Sequence, residues 1–153
     1  MNQTYVAENR VERQRLFKIT ANLTEKDLRR QLPNGWSVAT KLAHLAFWDR
    51  YCLSLILGWE RADFTAFPTS ADAINEAVRD LSGAIPPMAV VQLVREAAEA
   101  IDRKVEEMTP QLATAIETAG HPRILRRALH RREHLDQIEK ALGLAPRCGL
   151  TSR

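Results

Sequence analysis

His130 and His134 stand four residues apart in the run His130-Arg131-Arg132-Glu133-His134, and His44 lies far upstream in Leu42-Ala43-His44-Leu45-Ala46. On a helix, residues four apart share a face, one turn above the other. Two imidazoles so placed can grip one divalent ion. A third from another helix completes a set that leaves coordination positions open, the plan of a catalytic rather than a structural site. The expected ligands are His44, His130 and His134, with ring nitrogens converging within about 4 Å, as ligands roughly 2.1 Å from one ion must. Zinc suits three imidazoles and an open position, and nickel, iron and manganese also accept imidazole. The plainer alternative is a core-edge His44 and a solvated helix face for His130 and His134. Four histidines in a chain of this length give such a pair by chance roughly once in a dozen sequences.

Other residues can serve the same site. Trp48 follows His44 by one turn on the same face. Arg126 and Arg127 precede His130 by about one turn, placed to meet a substrate carboxylate. The plainer reading of the whole basic cluster, Arg123, Arg126, Arg127, Arg131 and Arg132, is a solvated face paired with Glu133 and Asp136. Glu133 is a candidate general base, Gln137 a partner that orients an imidazole, and His121 a helix-start residue. Trp36 and Trp59 read as core. No further catalytic side chain is identified. Cys52 falls in an apolar stripe as a buried thiol, and Cys148 lies in a polar tail. With no cysteine beside the ligands, a thiolate nucleophile has to come from a small molecule.

The elements that must position these residues are helical throughout. A first segment, roughly 4–23, carries Leu16, Ile19 and Leu23 at helical spacing with only moderate amphipathicity. Thr24 and Asp27 cap one short turn or two, and Pro33-Asn34-Gly35 breaks the chain. Ser37 caps a second helix to about Trp59, with an apolar stripe of Val38, Leu45, Trp48, Cys52, Leu55 and Trp59. Residues 60–87 form a long connection holding one short helix, capped by Ser70 and faced by Ile74, Ala77, Val78 and Leu81. Pro86-Pro87 opens a third long helix lined by Val90, Val91, Val94, Ala97, Ile101, Val105 and Met108. Thr109-Pro110 stops it, and 111–120 reads as a loop or a weak helical turn. Pro122 opens a fourth helix to Leu142, ended by Gly143, with Ile124, Ala128, Leu135, Ile138 and Leu142 as its stripe. His130 and His134 fall at the edge of that stripe.

This pattern predicts an all-α four-helix bundle in one domain, 1–143, with a flexible tail at 144–153. The long connection suggests a crossover between the second and third helices, leaving them parallel. By rise per residue, depth matches His44 with His134 in that arrangement and with His130 in a simple up-down bundle, so depth does not choose between them.

The run Leu32-Pro33-Asn34-Gly35-Trp36-Ser37-Val38 with Leu42-Ala43-His44-Leu45-Ala46, the His130–His134 element followed by Leu135, Gln137 and Ile138, and the order of helices together resemble the DinB-like superfamily. That group includes the thiol-dependent maleylpyruvate isomerase N-terminal domains. The resemblance spans nearly the whole chain. It implies an up-down-down-up bundle, often a homodimer, with a divalent metal on three histidines that map to His44, His130 and His134. It also implies a low-molecular-weight thiol such as mycothiol or bacillithiol as co-substrate.

The expectation is a metal-dependent enzyme that activates a small thiol or water for transfer, isomerisation or hydrolysis of a small-molecule substrate. The rival is a dimeric interaction protein with a structural or vestigial metal site. The net charge of +3 and the lack of interleaved aromatics exclude a nucleic-acid partner. The polar first ten residues, and the lack of any apolar run of membrane length, argue for a cytoplasmic protein with no membrane partner.

Overall fold

Ser37 starts the helix that carries the first histidine: its Oγ accepts the Thr40 amide at 3.0 Å, satisfying a donor that the first helical turn leaves unpaired. The loop before it is pinned. Gly35 takes φ +80°, a conformation that favours glycine. The Leu32 amide donates to the Trp36 carbonyl at 2.7 Å and the Val38 amide to the Arg30 carbonyl at 2.9 Å. Trp36 is thereby set against the side of the helix.

The computed structural model describes residues 4–61 and 71–144. Eight helices follow in order: α1 Thr4–Thr20, α2 Glu25–Leu28, α3 Val38–Arg61, α4 Ala71–Ser82, α5 Pro87–Glu107, α6 Pro110–Thr118, α7 Pro122–Leu125 and α8 Arg127–Leu142. Among the described residues there is no strand, only a single bridge between Gln31 and Ser37. The Ser70 cap, Cys148 and all of the tail beyond Leu144 lie outside the described residues.

Cross-helix pairs give the directions of the four long helices. Asn9 meets Ala128 while Arg15 meets Asp136, so α1 and α8 run parallel. Arg50 pairs with Glu96 and Glu60 with Lys104, so α3 and α5 run parallel. Arg10 pairs with Glu106 while Arg95 reaches the Phe17 carbonyl, so α1 and α5 oppose. Two neighbours parallel to each other cannot be joined by a tight turn. The chain between α3 and α5 must recross the bundle length, and α4 packs on α3 along the way.

Two elements differ from the sequence expectation. The stretch expected as a loop or a weak helical turn is a full helix as far as Thr118: Thr109 caps α6, its Oγ accepting the Leu112 amide at 3.4 Å, and α6 buries Ala113 and Ile116. The last helix is not continuous from Pro122. It breaks at Arg126, whose φ −93° and ψ 65° are not helical. The break strands the Leu125 carbonyl and the Ala128 amide, and Asn9 of α1 serves both. Its Nδ2 donates to Leu125 O and its Oδ1 accepts from Ala128 N, each at 2.7 Å. Asn9 is 1% exposed, so no water substitutes for it.

The apolar core is divided. One cluster gathers Leu16, Leu28, Leu42, Leu45, Val90, Val94, Leu135 and Ile138. The other gathers Tyr5, Cys52, Ile56, Trp59, Ile101, Ile116 and Leu125. Between them, at the level of Asp49 on α3, lies a buried polar layer. Asp49 accepts from Arg127 Nε at 2.8 Å and from Arg131 Nη2 at 2.9 Å. Arg131, fully buried, also donates to Asp102 on α5 at 2.8 Å. Glu12 and Arg15 of α1 extend the layer toward Glu139 and Asp136. Arg127 and Arg131 are therefore not part of a solvated basic face. Burial pushes the Asp49 carboxyl up, but the charges of Arg131 and Arg127 outweigh it and hold it below the ordinary range. Asp102, with one oxygen unpartnered, is raised by burial against the pull of Arg131.

Candidate metal centre

Above this layer α3 and α8 run antiparallel, and His44 meets both histidines of α8. The Nε2 atom of His130 lies 3.1 Å from Nε2 of His44 and 3.1 Å from Nε2 of His134. One ring nitrogen from each of the three lies within 4.8 Å of the others. An ion about 2.1 Å from three nitrogens spaces them about 3.0 Å apart in octahedral geometry and about 3.4 Å in tetrahedral. The two distances to His130 fall in that interval. The set as a whole spreads to 4.8 Å, wider than the about 4 Å expected, so His44 and His134 have to draw closer together on an ion.

Burial and nearby positive charge lower all three imidazoles below their ordinary value, which favours the neutral form that a metal requires. Burial, then the charges of His134, Lys41 and Arg127, bring His44 down to about 3. Burial and Lys41 bring His134 down to about 4, with Glu133 and Gln137 pulling the other way. His130 is lowered well below its ordinary value by burial and by Arg127. Without an ion, three neutral imidazoles facing each other can share few protons. The Nδ1 atoms of His44 and His134 are buried with no hydrogen-bond partner, so those rings can carry the proton there and present Nε2 as a lone pair. His130 differs: Arg127 Nη2 stands 3.0 Å from its Nδ1. A guanidinium only donates, so that Nδ1 is an acceptor. The Nε2 lone pairs of His44 and His134 suit a divalent ion, whereas His130, held by the Arg127 cation, fits only once its Nε2 proton is displaced.

A cavity of about 530 Å³ opens beside the three rings. Trp36 and Trp48 both line it, edge-on to His44 at centroid distances of 5.4 Å and 6.3 Å. Trp48 also donates from Nε1 to Asn75 at 3.0 Å, fastening α4 to the wall. Trp36, expected in the core, is a wall residue, whereas Trp59 is buried in the second apolar cluster. Tyr51, Leu55, Ile124, His121 and Arg123 complete much of the lining. Arg127 lines the cavity too, but its guanidinium is engaged by Asp49, by the Arg123 carbonyl at 3.0 Å and by His130. Arg126 is exposed and is not part of the wall. Glu133 lies at the rim, 3.5 Å from Arg123. Cys52 reaches the same cavity, although the sequence set no cysteine near the ligands. It is 4% exposed, and burial raises its thiol, so it is not a ready thiolate.

Sequence reasoning missed Lys41, which lies one turn before His44 and lines the cavity. Its Nζ sits 4.5 Å from the centre of the Trp36 ring. Burial lowers the ammonium, with Glu133 pulling the other way. The helical spacing from Lys41 to His44 was a usable signal, but a lysine on a helix reads as solvated unless its neighbours are known.

Residues 8–138 match the family model of the DinB superfamily. The chain belongs to that superfamily. Neither the curated proteins nor the solved structures compared with it give a match.

Proposed function

We propose that this protein is a divalent-metal-dependent enzyme whose ligands are His44, His130 and His134. The observation that carries the reading is the convergence of three imidazoles, two buried and one half-buried, whose Nε2 atoms stand 3.1 Å apart in two pairs on the wall of a cavity. A divalent ion bound there, zinc by preference, supplies Lewis acidity and lowers the pKa of a small thiol or a water at an open position. The protein's own residues do the rest. His44 and His134 offer lone pairs from two helices, and the Asp49–Arg127 pair fixes the ring of His130. Trp36, Trp48 and Leu55 keep bulk water from one side of the bound molecule. The reaction class is transfer, isomerisation or hydrolysis on a small-molecule substrate, with an external thiol as co-substrate, in a cytoplasmic homodimer.

The rival, an interaction protein with a vestigial site, is less well supported, because a walled cavity beside the ligands serves a substrate rather than a partner surface. The test is titration of the metal-loaded protein with cysteine and with 2-mercaptoethanol, using cobalt(II) in place of zinc. A thiolate joining the metal produces a sulfur-to-cobalt charge-transfer band, which the proposal expects. A spectrum unmoved by either thiol removes the thiol-dependent branch and leaves water as the nucleophile.

A further inference from the structure

Each arginine on the cavity wall has its counter-charge built in. Asp49 answers Arg127, and Glu133 stands against Arg123. Lys41 is different. It is 3% exposed, and among the described residues no carboxylate lies within ion-pair distance of it. Its cation lies on the face of Trp36, which attracts it but does not neutralise it, and Glu133, whose charge acts on Lys41 from beyond ion-pair distance, is already paired with Arg123. Burying an ammonium without a counter-ion is costly. Such an arrangement persists where a ligand supplies the missing charge. The position suits that role, because the charge of Lys41 acts on both His44 and His134. Farther along α3 the wall turns apolar through Trp48, Tyr51 and Leu55, with Ile124 facing them from α7.

We propose that Lys41 is the anion-binding residue of this cavity, and that the small molecule it takes carries a carboxylate at the His44 end and an apolar body lying along α3 toward Leu55. This deepens the enzyme reading by naming a substrate class and rests on the same cavity, but it does not require the metal to be bound. It also moves the carboxylate contact from Arg126 and Arg127, which the sequence favoured, to a cation with no carboxylate of its own within ion-pair distance among the described residues.

The test uses phenylacetate and its neutral isostere phenylacetamide as probes, titrated into metal-stripped protein with tryptophan fluorescence as the readout. Working without metal isolates Lys41, since a bound ion would also attract the carboxylate. Wild type is expected to prefer phenylacetate by about tenfold or more, as for one charge-assisted hydrogen bond. Lys41→Met should reduce the preference to within about twofold, and Lys41→Arg should restore most of it. No preference in wild type, or one that survives in Lys41→Met, overturns the inference. Zinc content, measured in parallel, separates it from the parent reading. A Lys41-dependent preference in a protein that takes up no zinc sustains the inference and removes the metal. A zinc-loaded protein with no such preference does the reverse.

Discussion

The guanidinium of Arg127 donates to Nδ1 of His130 at 3.0 Å, placing a permanent positive charge against one of the three prospective ligands. Ligand histidines usually donate that second nitrogen to a carboxylate or carbonyl, which makes the ring a better base. Here the partner is a donor, so the neutral ring carries its proton on Nε2, the atom that faces the other two histidines. Arg127 cannot simply turn aside, because Asp49 and the Arg123 carbonyl hold it. Arg127 therefore weakens metal binding. Arg127→Met is expected to bind zinc more tightly, by about tenfold, the equivalent of one pKa unit or about 1.4 kcal/mol. Competition against a zinc indicator reads this directly, and weaker binding in the variant would show that Arg127 supports the ion instead.

Acid should destabilise the metal-free protein through the same rings. His44 and His134 titrate at about 3 and about 4 in the fold, against an ordinary value of 6.5. The unfolded chain therefore binds more protons than the folded one below about pH 6.5. Their contribution to stability is complete above that pH and falls as pH drops toward the folded values, by up to about 1.4 kcal/mol per pH unit for each ring. Urea unfolding of stripped protein at pH 7.5, 6 and 5 measures the slope. His134→Leu should make it shallower, and a flat profile between pH 7.5 and 5 contradicts the account.

Asn9 is the single side chain that closes the break before α8. Asn9→Leu strands a buried carbonyl and a buried amide at about 1–3 kcal/mol each, so a loss of roughly 2–5 kcal/mol is expected from denaturant midpoints. Asn9→Asp keeps the acceptor for Ala128 but sets a buried carboxylate oxygen against the Leu125 carbonyl, and should unfold at least as easily as Asn9→Leu at neutral pH. A loss under about 0.5 kcal/mol for Asn9→Leu would show that the break relaxes without its stitch.

The long helices and the three histidines were legible because their signals are local. Apolar spacing places Val38, Leu45 and Cys52 on one side of α3, and four-residue spacing places His130 over His134. The buried polar layer was not legible, because its pairs lie far apart in sequence: Asp49 with Arg131, Glu12 with Arg132, Asn9 with Ala128. An arginine at helical spacing looks solvated until the carboxylate on another helix is known. The same layer explains the weak amphipathicity of α1. Its inward face carries Asn9, Glu12 and Arg15, all buried, so polar residues lie where the pattern looks for apolar ones. Among the described residues, the one large exposed hydrophobic of α1 is Val11. The Arg126 break escaped notice for a related reason: neither proline nor glycine marks it, and the compensating Asn9 is more than a hundred residues away.

Disrupting the layer should be costly. Asp49→Ala leaves Arg131 with Asp102 and leaves the Nε of Arg127 without its carboxylate. Breaking a buried pair from one side costs about 3–5 kcal/mol, enough to unfold a marginal domain. Thermal melts should show Asp49→Ala far below Arg123→Ala, which loses only an exposed pair with Glu133. Similar melting temperatures for the two would mean that the layer contributes little.

The most direct test of the central claim is metal stoichiometry. Protein purified without an affinity tag, stripped, reloaded with zinc and desalted is analysed by plasma mass spectrometry, beside His134→Ala treated identically. The account predicts about one zinc per chain in wild type and under about a tenth of that in the variant, with the helical circular dichroism of both unchanged. Wild type that retains no zinc, or His134→Ala that retains as much as wild type, contradicts a metal centre built from His44, His130 and His134.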